Sequence, residues 1–224
     1  MQIFKAMSTR HVTVLIVTGI VLIVGASIFF QTSSLFKVRY ILVDGGAHLG
    51  ETIAYFEKSK IYSNHPWEMF SFEANPNLID RIPQKPNLTI INKAIWINDD
   101  GVDFYIGIDT SSSSIMKHKN TGDISKVPTK VESVDFGQWL KRNFKRQDFI
   151  LVKLDIEGAE YAVLEKMLGD GTIKYVDVLF AEFHNVDVGV PIERDMVILK
   201  AIDELGIPTK VNPVQREDGD WFDN

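Results

Sequence analysis

An apolar run, Val38 to Val43, ends in Asp44-Gly45-Gly46-Ala47-His48-Leu49-Gly50 and passes into a segment with helical spacing. This junction constrains the fold more than any other, because strand, glycine turn and helix in that order make half of a parallel α/β unit. Glycine lacks a Cβ and accepts positive φ, so such a turn lets backbone N–H groups approach a ligand closely, and the helix start adds unpaired donors. The spacing is Asp-x-Gly-x-x-x-Gly across Asp44, Gly46 and Gly50, not the Gly-x-Gly-x-x-Gly of dinucleotide sites. It points away from a pyrophosphate.

Two further junctions repeat the pattern. Phe70-Ser71-Phe72-Glu73-Ala74-Asn75-Pro76 is an apolar strand ending in a carboxylate, with Pro76 where a helix could begin. An acid there is placed to accept hydrogen bonds from both hydroxyls of a ribose; a charge favoured by a helix N-terminus is the plainer alternative. From Asp44 to Glu73 is 29 positions, against about 20 in a compact dinucleotide unit, and the polar stretch Ser59 to Trp67 accounts for the excess as a loop. Leu151 to Glu160 is again a strand entering a helix with acids at the junction.

Strands are expected at 38–43, 67–72, 88–92, 149–154 and 176–180, and helices at 49–59, 77–82, 135–144, 158–168 and 193–205. Alternation of this kind means a doubly wound α/β sheet with helices on both faces, and Ile150-Leu151-Val152 and Val178-Leu179-Phe180 lack the polar alternation of half-exposed strands. Asn98-Asp99-Asp100-Gly101 reads as a turn joining Ile95–Ile97 to Phe104–Ile106 in a hairpin. The serine-rich Thr110–Ser114 stretch reads as a solvated connection or as a lid over a substrate. Ile207 to Val214 is expected to supply edge strands, and the acidic 215–224 to fray.

Val-Asp-Gly-Gly-Ala-His-Leu-Gly (43–50), Phe-Glu-Ala-Asn-Pro (72–76), Asn-Lys-Ala-Ile-Trp (92–96) and Lys-Leu-Asp-Ile-Glu-Gly-Ala-Glu (153–160), in this order, resemble the FkbM family of S-adenosylmethionine-dependent methyltransferases. The likeness runs from about Val38 to about His184. It implies a Rossmann-like methyltransferase sheet over 37–224, S-adenosylmethionine as cofactor, and contact between the adenine and the Asn92–Ala94 segment, with Ala94 acting through its backbone.

Asp44, Gly45, Gly46, Gly50, Glu73, Asn92, Ala94 and Asp155 are therefore the candidate cofactor residues. Asp44 either steers the turn towards the cofactor or caps the following helix. Asp155 stands at the carboxyl end of its strand, where open α/β sheets bind ligands, and is a candidate base or cofactor ligand. Glu182 and His184 follow the fifth strand and alternate to one side. Methyl transfer to a hydroxyl releases a proton, so Asp155, Glu182 and His184 are the catalytic candidates. The same three offer oxygen and imidazole ligands to a divalent metal. Glu157 and Glu160 read first as helix-start acids, Lys153 as facing a helix or pairing with an acid, and His48 as a loop-packing side chain.

All 30 acids follow residue 43; after Lys5 and Arg10 the other 22 basic residues leave a net of −8. That argues against a nucleic-acid surface. The absence of cysteine excludes disulfides and thiolate chemistry, and no Gly-x-Ser-x-Gly or Gly-x-x-x-x-Gly-Lys signature is present. His11 to Phe36 carries no Asp, Glu, Lys or Arg. Its apolar part, residues 12–30, would span about 28 Å as a helix, close to the hydrocarbon thickness. Residues 1–36 are thus expected to form a short tail and one uncleaved transmembrane anchor. Flanking charges tie at two each, so orientation is undetermined. A membrane-associated glycan, glycolipid or small-molecule hydroxyl is the expected acceptor. A nicotinamide oxidoreductase on the same fold and an inactive tethered binding module are the competing readings.

Overall fold

The computed structural model describes residues 38–120, 123–211 and 222. The expected membrane anchor lies outside them, and among the described residues no helix is long and apolar enough to cross a membrane. The chain divides at residue 38, and the unit Arg39–Asn224 is the one described here.

Its elements, in chain order, are β1 (Tyr40–Gly45), α1 (Glu51–Phe56), α2 (Lys60–Ser63), β2 (Trp67–Phe72), β3 (Leu88–Ile91), β4 (Ala94–Trp96), β5 (Val102–Phe104), β6 (Thr129–Val131), β7 (Ser133–Asp135), α3 (Phe136–Asn143), β8 (Phe149–Leu154), α4 (Glu160–Asp170), β9 (Val178–Ala181), α5 (Asn185–Val188), α6 (Ile192–Asp203) and β10 (Thr209–Val211). The main sheet has the order β10-β9-β8-β1-β2-β3, and every pairing in it is parallel. Successive side chains of a strand face opposite ways. Ile41, Val43, Ile150, Val152 and Leu154 accordingly enter one buried cluster with Phe136, Leu140, Leu164 and Ile198 from the helices. Leu42 and Leu151 enter a second on the other face, with Ile53, Phe56 and Phe222. The central strands are mostly apolar because both faces are covered, with Asp44, Ser71 and Lys153 as buried polar exceptions near their carboxyl ends.

The α/β reading and its parallel sheet are observed, with corrections at the joints. The helix expected over 49–59 begins at Glu51 and ends at Phe56, because the turn continues through Gly50 at φ +87°. The Ser59–Trp67 loop contains one helical turn, α2, capped by Ser59 Oγ accepting from Tyr62 N–H. Beyond Pro76 there is only a 3-10 turn, Ile79–Arg81. The expected hairpin does not form. β4 pairs in parallel with β7, while β5 pairs antiparallel with β6. Ser133 on β7 explains the exchange: its Oγ accepts from Gly101 N–H and donates to the Asn98 carbonyl, so the turn is laced to β7. A single edge strand, β10, comes from the 207–214 stretch within the described residues.

Candidate active site

The chain builds β1, β2 and β3 outward on one side and then β8, β9 and β10 on the other, so the sheet order reverses between β1 and β8. Ligands of open α/β sheets bind outside the carboxyl ends of the strands at such a point. Asp155 N–H donates to the Gly45 carbonyl across this gap, joining the first and third sequence junctions.

Below the mouth, Ser71, Asp44 and Lys153 stand in register on neighbouring strands and on one face of the sheet. Ser71 Oγ donates to Asp44 Oδ2, and Lys153 Nζ lies 3.4 Å from Asp44 Oδ1 and 3.3 Å from Asp155 Oδ2. The same ammonium donates to the carbonyls of Gly45 and Gly46. Burial alone would push Lys153 down, but the charges of Asp155 and Asp44 outweigh it and keep the lysine above its ordinary range. Burial pushes the Asp44 carboxyl up, with Lys153 acting against it. Asp44 is fully buried, and the cap residue of α1 is Gly50, without a side-chain bond. Its carboxylate therefore does not cap the helix: it holds Lys153 under the glycine turn.

Gly46 has φ +81°, and a Cβ there would stand 1.9 Å from the Asp155 carbonyl oxygen. The glycine is demanded by the β1–β8 approach. A Cβ on Gly45 would meet Ile95 Cδ1 at 2.8 Å, and Gly50 lies against Ile82 and Pro83. His48 is also left-handed, at φ +49°, a conformation uncommon outside glycine. Its ring bridges Glu51 and Thr110, the packing role expected for it.

Glu73 follows β2 and is buried. Oε2 accepts from His48 N–H and Oε1 from Asn75 N–H, both at 2.7 Å. Burial raises its pKa, opposed by those two N–H groups. A carboxylate has about four lone-pair sites, so each oxygen retains capacity for one more donor. Nearby, Asn75 Nδ2 is buried with no acceptor among the described residues. Asn92 Nδ2 donates to the Glu73 carbonyl at 2.7 Å, bracing the β2 turn. Ala94 N–H donates to the Glu132 carbonyl beside the β4–β7 pairing.

A different environment lies at the ends of β8 and β9. His184, with a side chain 9% exposed, directs Nδ1 at Glu160 Oε1, 3.2 Å away. Nε2 faces Glu157 Oε2 at 3.5 Å, Asp155 Oδ1 at 3.7 Å and Glu182 Oε1 at 4.0 Å, outside the 2.7–3.2 Å of a well-formed N–H···O bond. Burial would lower the histidine pKa, but Glu160, Glu157 and Asp155 raise it to about 9. Glu160 is fully buried and locked: it accepts from Ile156 N–H and Gly158 N–H as α4 begins. Burial raises Glu157 and Glu182, with Asp155 adding to Glu182. Glu157 sits at φ +58°, strain of a kind concentrated at functional sites. Asp155, Glu182 and His184 are thus brought together as expected, and Glu157 and Glu160 join them. Asp155, Glu157 and His184 each offer one ligand atom, all within 4.8 Å of one another.

Residues 110–120, between β5 and β6, close over both junctions. Thr110 meets His48 on the β1 side. Ser114 Oγ donates to the Glu157 carbonyl, Lys119 Nζ pairs with the Glu157 carboxylate and donates to the Ser112 carbonyl, and Asn120 N–H donates to the Asp187 carbonyl. The stretch is a cover, not a solvated connection. Lys119, buried beside this acid cluster, is the residue that sequence reasoning missed and that no local pattern marks. Of the two roles expected for Lys153, pairing with an acid is the one observed.

The family model of the methyltransferase FkbM domain matches residues 44–196, which takes in all these groups. No curated protein and no solved structure matches the chain.

Proposed function

The chain belongs to the FkbM methyltransferase family, and from that premise we propose that it transfers the methyl group of S-adenosylmethionine to a hydroxyl of a glycan, glycolipid or related compound near a membrane. The observation that carries the reading is the convergence, at one switch point, of a backbone-lined glycine turn, a buried strand-end carboxylate with acceptor capacity left, and an acid-rich cluster. The residues present fit this cofactor. Glu73 can accept the ribose hydroxyls, the unmatched amide of Asn75 stands two residues away, and excess acid suits a cationic sulfonium.

When bound, the cofactor supplies an electrophilic methyl group for a one-step displacement. Glu73 and the turn amides fix its position, and alignment within about 3–3.5 Å supplies much of the rate. The cover holds water away from the β8 and β9 ends. The acceptor proton passes to Asp155 or Glu182, whose carboxylates are the more exposed members of the cluster, at 26% and 28%. The environment disfavours the alternative that His184 is the base, because it is already protonated at neutral pH. It acts as a fixed cation, held by Glu160, that orients the carboxylates.

The test is transfer of radiolabelled methyl from S-adenosylmethionine into extracts of the native host, followed by sugar analysis. Label in a methylated sugar is the expected result; label only in protein or nucleic acid overturns the acceptor class. The anchor rests on the uncharged run 11–36. Full-length protein should remain in membranes through carbonate and high salt, since an inserted helix is held by apolar burial. Release into the soluble fraction, or an N-terminus near residue 27, would contradict it.

A further inference from the structure

The β8–β9 cluster has a feature that methyl transfer from a sulfonium does not require. A histidine nine-tenths buried is fixed through one nitrogen by a locked acid, and its other nitrogen is aimed at three carboxylate oxygens without a well-formed bond to any of them. An imidazole whose second nitrogen is held by a carboxylate is the arrangement that orients a metal ligand. The site already gathers positive charge: Lys119 reaches in from the cover to Glu157, and Lys153 supports Asp155 from beneath.

We propose that Asp155, Glu157 and His184, with Glu182 at the rim, bind one hard divalent cation of the Mg²⁺ or Mn²⁺ class, which exchanges with the Lys119 ammonium at Glu157. The donor set decides the class, since carboxylate oxygens predominate and select Mg²⁺, Ca²⁺ or Mn²⁺ over softer ions. The ion displaces the Nε2 proton of His184, and the present ligand separations, 3.5 Å and 3.7 Å from Nε2, contract by rotation of the acid side chains. Asp155 and Glu157 are partly exposed and turn from their lysine partners, Lys153 and Lys119, towards the ion, while His184 stays fixed by Glu160. Lys119 is the competing cation, so an entering ion displaces it from Glu157 and loosens the cover at that point. Such an ion would act as a Lewis acid on the acceptor hydroxyl. That use rests on the methyl-transfer reading; the binding does not.

Full-length protein in detergent, titrated with Mn²⁺ and followed by the paramagnetic resonance of the free ion, provides the test, with S-adenosylhomocysteine binding measured on the same sample. One Mn²⁺ per chain is expected, displaced by Mg²⁺. Asp155→Asn and Glu157→Gln should each weaken it by about 100-fold, and Glu160→Gln by about 10–100-fold. Lys119→Met should tighten it by roughly tenfold, because a competing positive charge is gone. Circular dichroism identifies variants that fail to fold; Asp155→Asn and Glu157→Gln preserve size at partly exposed positions, so they keep the test decisive if Glu160→Gln unfolds. Absence of Mn²⁺ binding at millimolar concentration, or binding indifferent to both Asp155→Asn and Glu157→Gln, would overturn the site. Unchanged or weaker binding in Lys119→Met would overturn the exchange. Homocysteine-ligand binding without Mn²⁺ sinks the metal alone; Mn²⁺ without that ligand sinks the methyl-donor reading alone.

Discussion

The two sides of the crevice are built on opposite principles. On the β1–β2 side nearly every polar group has a partner: Asp44 has Ser71 and Lys153, Glu73 has two backbone N–H groups, and Gly46 touches a neighbouring carbonyl. On the β8–β9 side four carboxylates surround one imidazole at 3.2–4.0 Å, and a non-glycine residue sits at positive φ. The first, more fully bonded side is a rigid cradle that leaves only a few groups for a ligand, the remaining lone pairs of Glu73 and the Asn75 amide. The other crowds ionised groups together where a proton or cation has to be handled. Structure and chemistry are thus divided between the two halves of one sheet.

The sharpest way to break the comparison is Gly46→Ala. A Cβ 1.9 Å from the Asp155 carbonyl, at φ +81°, should force β1 and β8 apart and cost more than about 4 kcal/mol, the range reserved for severe core defects. A denaturation midpoint near wild type would mean the strand ends are not so closely joined. Next in size is Lys153→Met. Removing the ammonium leaves buried Asp44 uncompensated, a loss of about 3–5 kcal/mol by urea unfolding, and adding Asp44→Asn should recover part of it. Additive losses in the double variant would show that the two do not act as a pair.

A smaller effect belongs to the other side. His184 titrates near 9 when folded against about 6.5 unfolded. Folding therefore gains from its protonation, in full below about pH 6.5, and loses that gain as pH rises to about 9. In chelating buffer the wild-type unfolding free energy should fall across this window by an amount on the order of 3 kcal/mol relative to His184→Gln. Parallel curves for the two proteins would contradict the raised value.

The sequence-based reading succeeded where one physical rule acted locally. β2 and β8 coincide with their expected limits, because strands covered on both faces are rich in apolar residues and end where that run gives way to acids. Asp155, Glu182 and His184 converge because strand ends share one edge. It failed where partners come from far along the chain. Asp44 looked like a turn residue until Lys153, 109 positions later, came into register beside it. The Asn98–Gly101 turn looked like a hairpin until Ser133 bound both its ends. Lys119 lies in a polar stretch whose composition says only loop, and its burial depends on Glu157, 38 residues away.

The central claim is that the more fully bonded side holds S-adenosylmethionine, and calorimetric titration of the full chain with S-adenosylhomocysteine and, separately, NAD tests it most directly. The account predicts one S-adenosylhomocysteine site, no NAD binding, and a loss of about 1.5–3 kcal/mol in a folded Glu73→Ala variant, the worth of hydrogen bonds to a charged group. A folded protein that takes NAD in place of S-adenosylhomocysteine, or whose affinity for the latter is unchanged by Glu73→Ala, would contradict it.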